Sequence, residues 1–200
     1  MVASATSSDS LQVAQLHHSA IKAGFLSRLG IGFLNSLYKY LIKKEIVLVY
    51  REGETIRGFV SCALNSDKIM RKFVFNPEGV LSFLVAILKR PGLLFTSVET
   101  MLIPLKNKSA GRKKIGPKLP EAELLSISVD PGFQQDGIGS SLLAELEKRL
   151  QEKGVQQYKV VAGANLIAAN KFYLKHGFHL ADEMIIHGKD ISNIYCKSLL

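Results

Sequence analysis

The run Glu123 to Lys153, ELLSISVDPGFQQDGIGSSLLAELEKRLQEK, constrains this chain more than any other. Leu124 to Val129 is rich in leucine and β-branched residues and short enough to be a buried strand. Asp130-Pro131-Gly132 ends it, because proline and glycine at turn positions stop a strand ladder. Behind Gln134-Gln135-Asp136-Gly137-Ile138-Gly139 the apolar residues Leu142, Leu143, Leu146 and Leu150 form one helical stripe. The order is strand, glycine-bearing turn, helix N-terminus. A helix start leaves about four N–H groups without intrahelical partners and carries the positive end of the helix dipole. With glycines there, a phosphate can approach the backbone closely.

The spacing narrows the ligand. Gly139 is followed by Ser140, Ser141 and Leu142, so the third glycine of a dinucleotide fingerprint is missing. No lysine follows it, which excludes a P-loop. Gln134-x-x-Gly137-x-Gly139 instead resembles the [QR]-x-x-G-x-[GA] signature of the GNAT superfamily of N-acetyltransferases. About thirty residues on, Ala169-Asn170-Lys171-Phe172-Tyr173, followed by His176-Gly177-Phe178, resembles that family's A-x-x-F-Y-x-x-x-G-F helix. The resemblance runs roughly from Glu121 to Lys197.

It implies one α/β (α+β) domain over 1–200: a central mixed, mostly antiparallel twisted sheet flanked by helices, with a helical insertion around 77–105. It also implies an acyltransferase using acetyl-coenzyme A as donor, a primary amine as acceptor and no metal. By the same resemblance, the amides of Gln134, Gln135, Asp136, Gly137, Ile138, Gly139 and Ser140 hold the pyrophosphate. The backbone of Ile127, Ser128 and Val129 pairs with pantetheine. Tyr173 lies near the thioester sulfur as general acid, and a phenol suits donation to a thiolate. Glu123, fourteen residues before Gly137, coincides with the general-base glutamate of the superfamily's histone acetyltransferases. Asn165 resembles the asparagine that contacts the cofactor, one residue further from Tyr173 than usual; capping of the helix explains it equally. Asp136 stands where a basic residue is common and is expected to face solvent.

The charge is lopsided. Residues 39–118 hold sixteen Lys or Arg and six Asp or Glu, more than the whole net charge of +9. Such a patch suits a phosphorylated ligand, an anionic membrane or nucleic acid. A solvated surround for an anionic cofactor is preferred; the acceptor is open among an amino sugar or its nucleotide, an amino acid or polyamine, a protein lysine and a protein N-terminus, and the basic region tilts slightly towards a small anionic amine such as a nucleotide-linked amino sugar. The basic loop 106–118 lacks interleaved aromatics, so nucleic-acid stacking is not expected. Peripheral membrane contact is open for the apolar stretch 79–105, whose halves are each too short to span a bilayer. A homodimer is compatible with the sequence. Cys62 and Cys196 have no metal-ligand spacing, and residues 1–10 carry no signal-peptide pattern. A cytoplasmic protein is expected. The rival functions are a coenzyme A-binding sensor without turnover and a basic nucleic-acid or membrane-surface protein.

Elsewhere the pattern predicts helices over Ser10–Phe25 and Ile31–Ile42, with a loop at Phe25–Gly30 between them. No strand is evident before the first. Glu45–Tyr50 and Thr55–Leu64 read as a hairpin, Lys68–Phe75 as a third strand and 79–105 as a helix pair. After the central helix come a strand at Gln157–Ala162, the second-motif helix Asn165–His176, and a closing hairpin of Phe178–Ile186 and Ile191–Lys197. His17, His18, His176, His179 and His187 show no metal or triad spacing and are assigned surface or cap roles.

Overall fold

The computed structural model describes residues 1–21, 25–89, 119–186 and 190–200. Seven strands lie in one sheet, in the order β1-β2-β3-β4-β5-β7-β6. They are β1 (Val2–Ser4), β2 (Ile46–Glu52), β3 (Thr55–Ala63), β4 (Glu123–Val129), β5 (Gln157–Gly163), β6 (His179–Ile186) and β7 (Asp190–Ser198). Every neighbouring pair is antiparallel except β4–β5, which is parallel. That one parallel pair sits at the centre, where the two halves of the chain meet.

Seven helices flank the described sheet: α1 (Ser10–Ala20), α2 (Phe25–Arg28), α3 (Ile31–Lys44), α4 (Ser66–Val74), α5 (Pro77–Lys89), α6 (Ile138–Glu152) and α7 (Ile167–Lys175). Each face of the sheet has its own core. On one face Val13 and Ala14 of α1, Leu34, Leu37 and Tyr38 of α3 and Phe73 of α4 pack over Val49 and Phe59. On the other, the predicted stripe Leu142, Leu143, Leu146 and Leu150 packs with Tyr173 and Phe178 over Leu48, Val60 and Leu124. All four leucines are buried to 1 % exposure or less.

Four expectations need correction. Lys68–Phe75 is not a strand: Lys68 to Val74 lie within α4, and Phe75 is its C-cap. Asn65 caps it by accepting a hydrogen bond from the Lys68 N–H at 2.9 Å, and the buried residues Ile69 and Phe73 stand four apart, leaving Arg71 and Lys72 exposed. A strand does precede the first helix: β1, three residues long and too short to carry a readable alternation. The first helix stops at Ala20, and Phe25–Arg28 forms the short helix α2 in place of a loop. The second-motif helix begins at Ile167, two residues later than read, with Leu166 as its N-cap and no side-chain capping bond. The second half of the predicted helix pair, the basic loop 106–118 and the turn at 187–189 lie outside the described residues.

α5 presents Leu81, Leu84 and Leu88 to solvent, and among the described residues no helix is long and apolar enough to cross a membrane. Its start packs against the end of α4 so closely that a Cβ on Gly79 would lie 2.0 Å from the Phe73 carbonyl oxygen. Backbone cannot yield there as a flexible side chain would. Gly79→Ala is expected to destabilise the protein by about 3 kcal/mol, at the upper end of overpacking costs, by denaturant unfolding. An unchanged unfolding midpoint would contradict this packing.

Candidate active site

β4 pairs with β3 along its length, but with β5 only at Glu123–Lys159 and Leu124–Val160. The β3–β4 ladder shows why. Ser61 faces Ser126 and Cys62 faces Leu124, so Leu125 is an extra, unpaired residue in β4. A bulge bends its strand and increases the local twist, and beyond this one β4 turns away from β5. From Leu125 to Val129 one edge of β4 has no strand partner, roughly 16 Å at about 3.3 Å per residue. β5 meanwhile continues to Gly163 against β7. The opening exposes backbone donors and acceptors where a parallel sheet would normally hide them. Ile127, Ser128 and Val129 all lie along it.

The turn that follows is fastened from β3. Asp130 accepts a bond from the Gly132 N–H and an ion pair from Arg57 Nη1, both at 3.2 Å. The Arg57 guanidinium also lies 4.0 Å over the Phe133 ring, an arrangement that adds cation–π attraction. Sequence reading did not single out Arg57. Nothing in a local pattern marks a contact across 73 residues.

Gln134, Gln135, Asp136 and Gly137 are exposed, and Ile138 is buried. Gly137 is the N-cap of α6 with φ +76°, and no side chain caps the helix. The first intrahelical bond runs from the Ser141 N–H to the Gly137 carbonyl. The amides of Ile138, Gly139 and Ser140 therefore precede it as free donors at the positive end of a fifteen-residue helix. The two glycines differ. Gly137 needs its positive φ and has open space around the position of a Cβ. Gly139 has an ordinary φ, and its Cβ would stand 3.4 Å from Phe172 Cε2 of α7. That is an ordinary van der Waals contact, so the packing of α7 leaves room for a Cβ there. Ser140 is also tied to α7: its hydroxyl lies 2.9 Å from His176 Nε2, while His176 Nδ1 faces the Phe172 carbonyl at 2.8 Å.

Tyr173 is 6 % exposed, its ring set against Phe172, Phe178 and Tyr195. Its hydroxyl has no hydrogen-bond partner among the described residues, and burial raises its pKa, so the phenol holds its proton. A buried, unpaired hydroxyl is costly in a core and is explained readily by a ligand. Glu123 lies at the closed end of the strand pair, with Oε2 accepting from the Ser66 hydroxyl at 2.7 Å and facing Lys159 Nζ at 3.4 Å. Asn165 is exposed and folds over Gly163, whose Cβ would meet Asn165 Oδ1 at 2.8 Å. The buried amide of this region is Asn170. It donates to the carbonyls of Gly163, Ala164 and Leu166 and accepts from Asn193 and the Tyr195 hydroxyl, locking the β5–α7 turn to β7. Among the described residues no group of three His, Cys, Asp or Glu side chains could hold a metal.

Residues 103–180 match the family model of the acetyltransferase (GNAT) domain. Over 63 residues the chain is 38% identical to ribosomal protein bS18-alanine N-acetyltransferase of Escherichia coli K12, covering 32% of this chain and 43% of that protein. The chain thus spans less than half the length of the curated relatives it matches. Among solved structures, a putative GNAT acetyltransferase from Desulfovibrio desulfuricans superposes over 100% of both chains with a TM-score of 0.64 at 14% identity. The ribosomal-protein-S18-alanine N-acetyltransferase of E. coli gives 0.61 at 15% identity, over 100% of this chain and 93% of that one. The PaiA N-acetyltransferase of Thermoplasma acidophilum in complex with coenzyme A gives 0.59 at 17%, over 99% and 98%. The chain thus matches the GNAT acetyltransferase domain across 103–180 and shares the fold of these N-acetyltransferase structures.

Proposed function

We propose that the protein transfers an acetyl group from acetyl-coenzyme A to a primary amine. The observation that carries this reading is the opening of β4 from β5 at Leu125, flanked by the free amides of α6 and the unpaired Tyr173 hydroxyl. The residues fit the donor. The amides of Ile138, Gly139 and Ser140 suit a diphosphate, with Gln134, Gln135, Asp136 and Gly137 exposed beside them. The unpaired edge at Ile127–Val129 offers a strand-like partner to an extended chain carrying amides. The thioester supplies an activated acetyl group, and the protein's own contribution is to hold the amine in place, take its proton and return one to the leaving sulfur. Tyr173 fits the last role. Glu123 is the carboxylate of β4 available for the first, although one of its oxygens is already engaged twice.

The acceptor is read from the other half of the chain, which lies outside the residues that the family model matches. A cavity of about 550 Å³ opens between the start of α3 and α5, walled by Leu29, Phe33 and Val85, with Lys39 and Lys89 also on its lining. With Glu78 also on the lining the two lysines leave one net positive charge, which favours a small amine bearing an anionic group, such as a nucleotide-linked amino sugar, over a polycation. The curated relatives' name points to an alanine of a ribosomal protein, so both belong in one assay. The test is release of coenzyme A thiol with a nucleotide-linked amino sugar, a free amino acid and a peptide beginning with alanine. Saturable release with one of them is expected. Release that no amine accelerates above slow hydrolysis would remove the transferase reading, and preference for the peptide would overturn the anionic acceptor.

A further inference from the structure

α5 has two unlike faces. Gly79, Ala86 and Ile87 are buried, and the Phe83 ring meets Phe33 of α3 edge-on at 6.4 Å, so one side of the helix is joined to the core that α1 and α3 build. The other side is apolar and open to solvent. Leu81, Leu84 and Leu88 are 64 %, 53 % and 81 % exposed, and Val80 and Val85 are exposed beside them. At 3.6 residues per turn these positions fill an arc of about 140°, with Glu78 and Lys89 only at its edge. The ridge runs for about 20 Å at a rise of 1.5 Å per residue. Phe75, between α4 and α5, is 75 % exposed. A soluble protein rarely gathers so many large apolar side chains on its surface without a use for them.

The surroundings of this ridge are basic. Lys68, Arg71 and Lys72 of α4 are exposed, and the end of α4 packs against the start of α5 at Phe73 and Gly79. Lys89 closes α5. Residues 66–118 hold eleven Lys or Arg and three Asp or Glu, so this stretch carries most of the chain's net charge of +9. That charge decides between occupants of the face. A second copy would set these cations against their own counterparts, because a two-fold interface repeats one patch on both sides. An anionic bilayer offers the opposite charge directly above an apolar interior.

We propose that the exposed face of α5 docks on the surface of an anionic membrane. Leu81, Leu84, Leu88 and Phe75 enter the boundary between headgroups and acyl chains, and Lys68, Arg71 and Lys72 meet lipid phosphates. The helix lies in the plane of the interface and does not cross it, while its buried face keeps it part of the fold. Leu81 and Val85 also line the cavity assigned above to the acceptor, so docking brings the rim of that cavity to the headgroups. Docking stands without the acetyl-transfer reading; only this placing of the acceptor rests on it.

The test is co-sedimentation of the whole protein with vesicles at physiological salt. Vesicles of equal parts phosphatidylglycerol and phosphatidylcholine are expected to bind it at least about tenfold more tightly than phosphatidylcholine alone. Leu84→Gln with Leu88→Gln, at positions outside the cavity lining, should weaken that binding at least about tenfold. Arg71→Gln with Lys72→Gln should weaken it by a similar factor. All four side chains are exposed, so the melting temperatures of both variants should stay near that of the unmodified protein. The sequence has no tryptophan, so Leu88→Trp supplies a sole fluorescent reporter. Its emission should move to the blue on the anionic vesicles. Unshifted emission, no binding to either vesicle, or binding that the leucine variant leaves unchanged would overturn the proposal. So would a lipid-free dimer that Leu84→Gln with Leu88→Gln dissociates in sedimentation, since the face would then belong to a second copy. Thiol release is measured without lipid, so failure of docking and failure of the transferase reading are told apart.

Discussion

Tyr173→Phe is expected to lower kcat by about a hundredfold while leaving acetyl-coenzyme A affinity and folding stability nearly unchanged. The phenylalanine ring retains the packing against Phe172, Phe178 and Tyr195. The lost hydroxyl has no partner among the described residues, so its removal strands no buried donor or acceptor. In the proposed mechanism the variant lacks the proton for the leaving sulfur, and general acid catalysis is worth about 10²–10⁴ in rate. Burial keeps the phenol protonated, so the wild-type rate should show no downward limb from Tyr173 ionisation at moderately alkaline pH. Steady-state kinetics beside direct binding separates the outcomes. A variant with kcat within threefold of wild type would leave Tyr173 as a core aromatic only.

The second large effect concerns acid stability. Burial, with a smaller contribution from His18, pushes the His17 pKa from its ordinary 6.5 down to about 4. The groups facing it are His18 on its own helix, Tyr38 from α3, and the uncharged Phe59 from β3. The folded-state value lies below the unfolded one, so the folded protein favours the neutral ring. Its contribution is complete above pH 6.5 and is lost as pH falls from 6.5 towards 4, where the unfolded chain takes up a proton that the folded chain refuses. The loss reaches about 3 kcal/mol over that window, roughly 6–12 °C in melting temperature for a chain of this size. His17→Gln should show a correspondingly shallower decline. Superimposable pH profiles of the two proteins would show that His17 is not held neutral by its surroundings.

Local patterns made the donor half legible. Asp130-Pro131-Gly132 announced the turn, the spacing of Leu142, Leu143, Leu146 and Leu150 announced α6, and each was found as read. Gly137 caps α6 with a positive φ, whereas a Cβ on Gly139 would make only an ordinary contact with Phe172. What the sequence concealed depends on long-range contacts. The bulge at Leu125 exists only in the register between β3 and β4. Arg57 meets Asp130 across the sheet. Lys68–Phe75 has aromatic and β-branched residues that suit a strand, and only the burial of Ile69 and Phe73 together reveals the helix. His17 left one usable signal: it continues the buried spacing of Ser10, Val13 and Ala14 on α1. A polar residue on an apolar stripe invites the question of what it meets there.

The central claim is that the opened strand pair and the start of α6 form a site for one particular anionic cofactor. Thermal unfolding with acetyl-coenzyme A, beside NADH and ATP as comparably anionic controls, tests it most directly. At a hundred times its dissociation constant a ligand adds about 2.7 kcal/mol, roughly 5–10 °C here. The account predicts that shift with acetyl-coenzyme A alone. Equal shifts with all three would mean generic anion binding by a basic protein, and no shift with acetyl-coenzyme A would contradict the account.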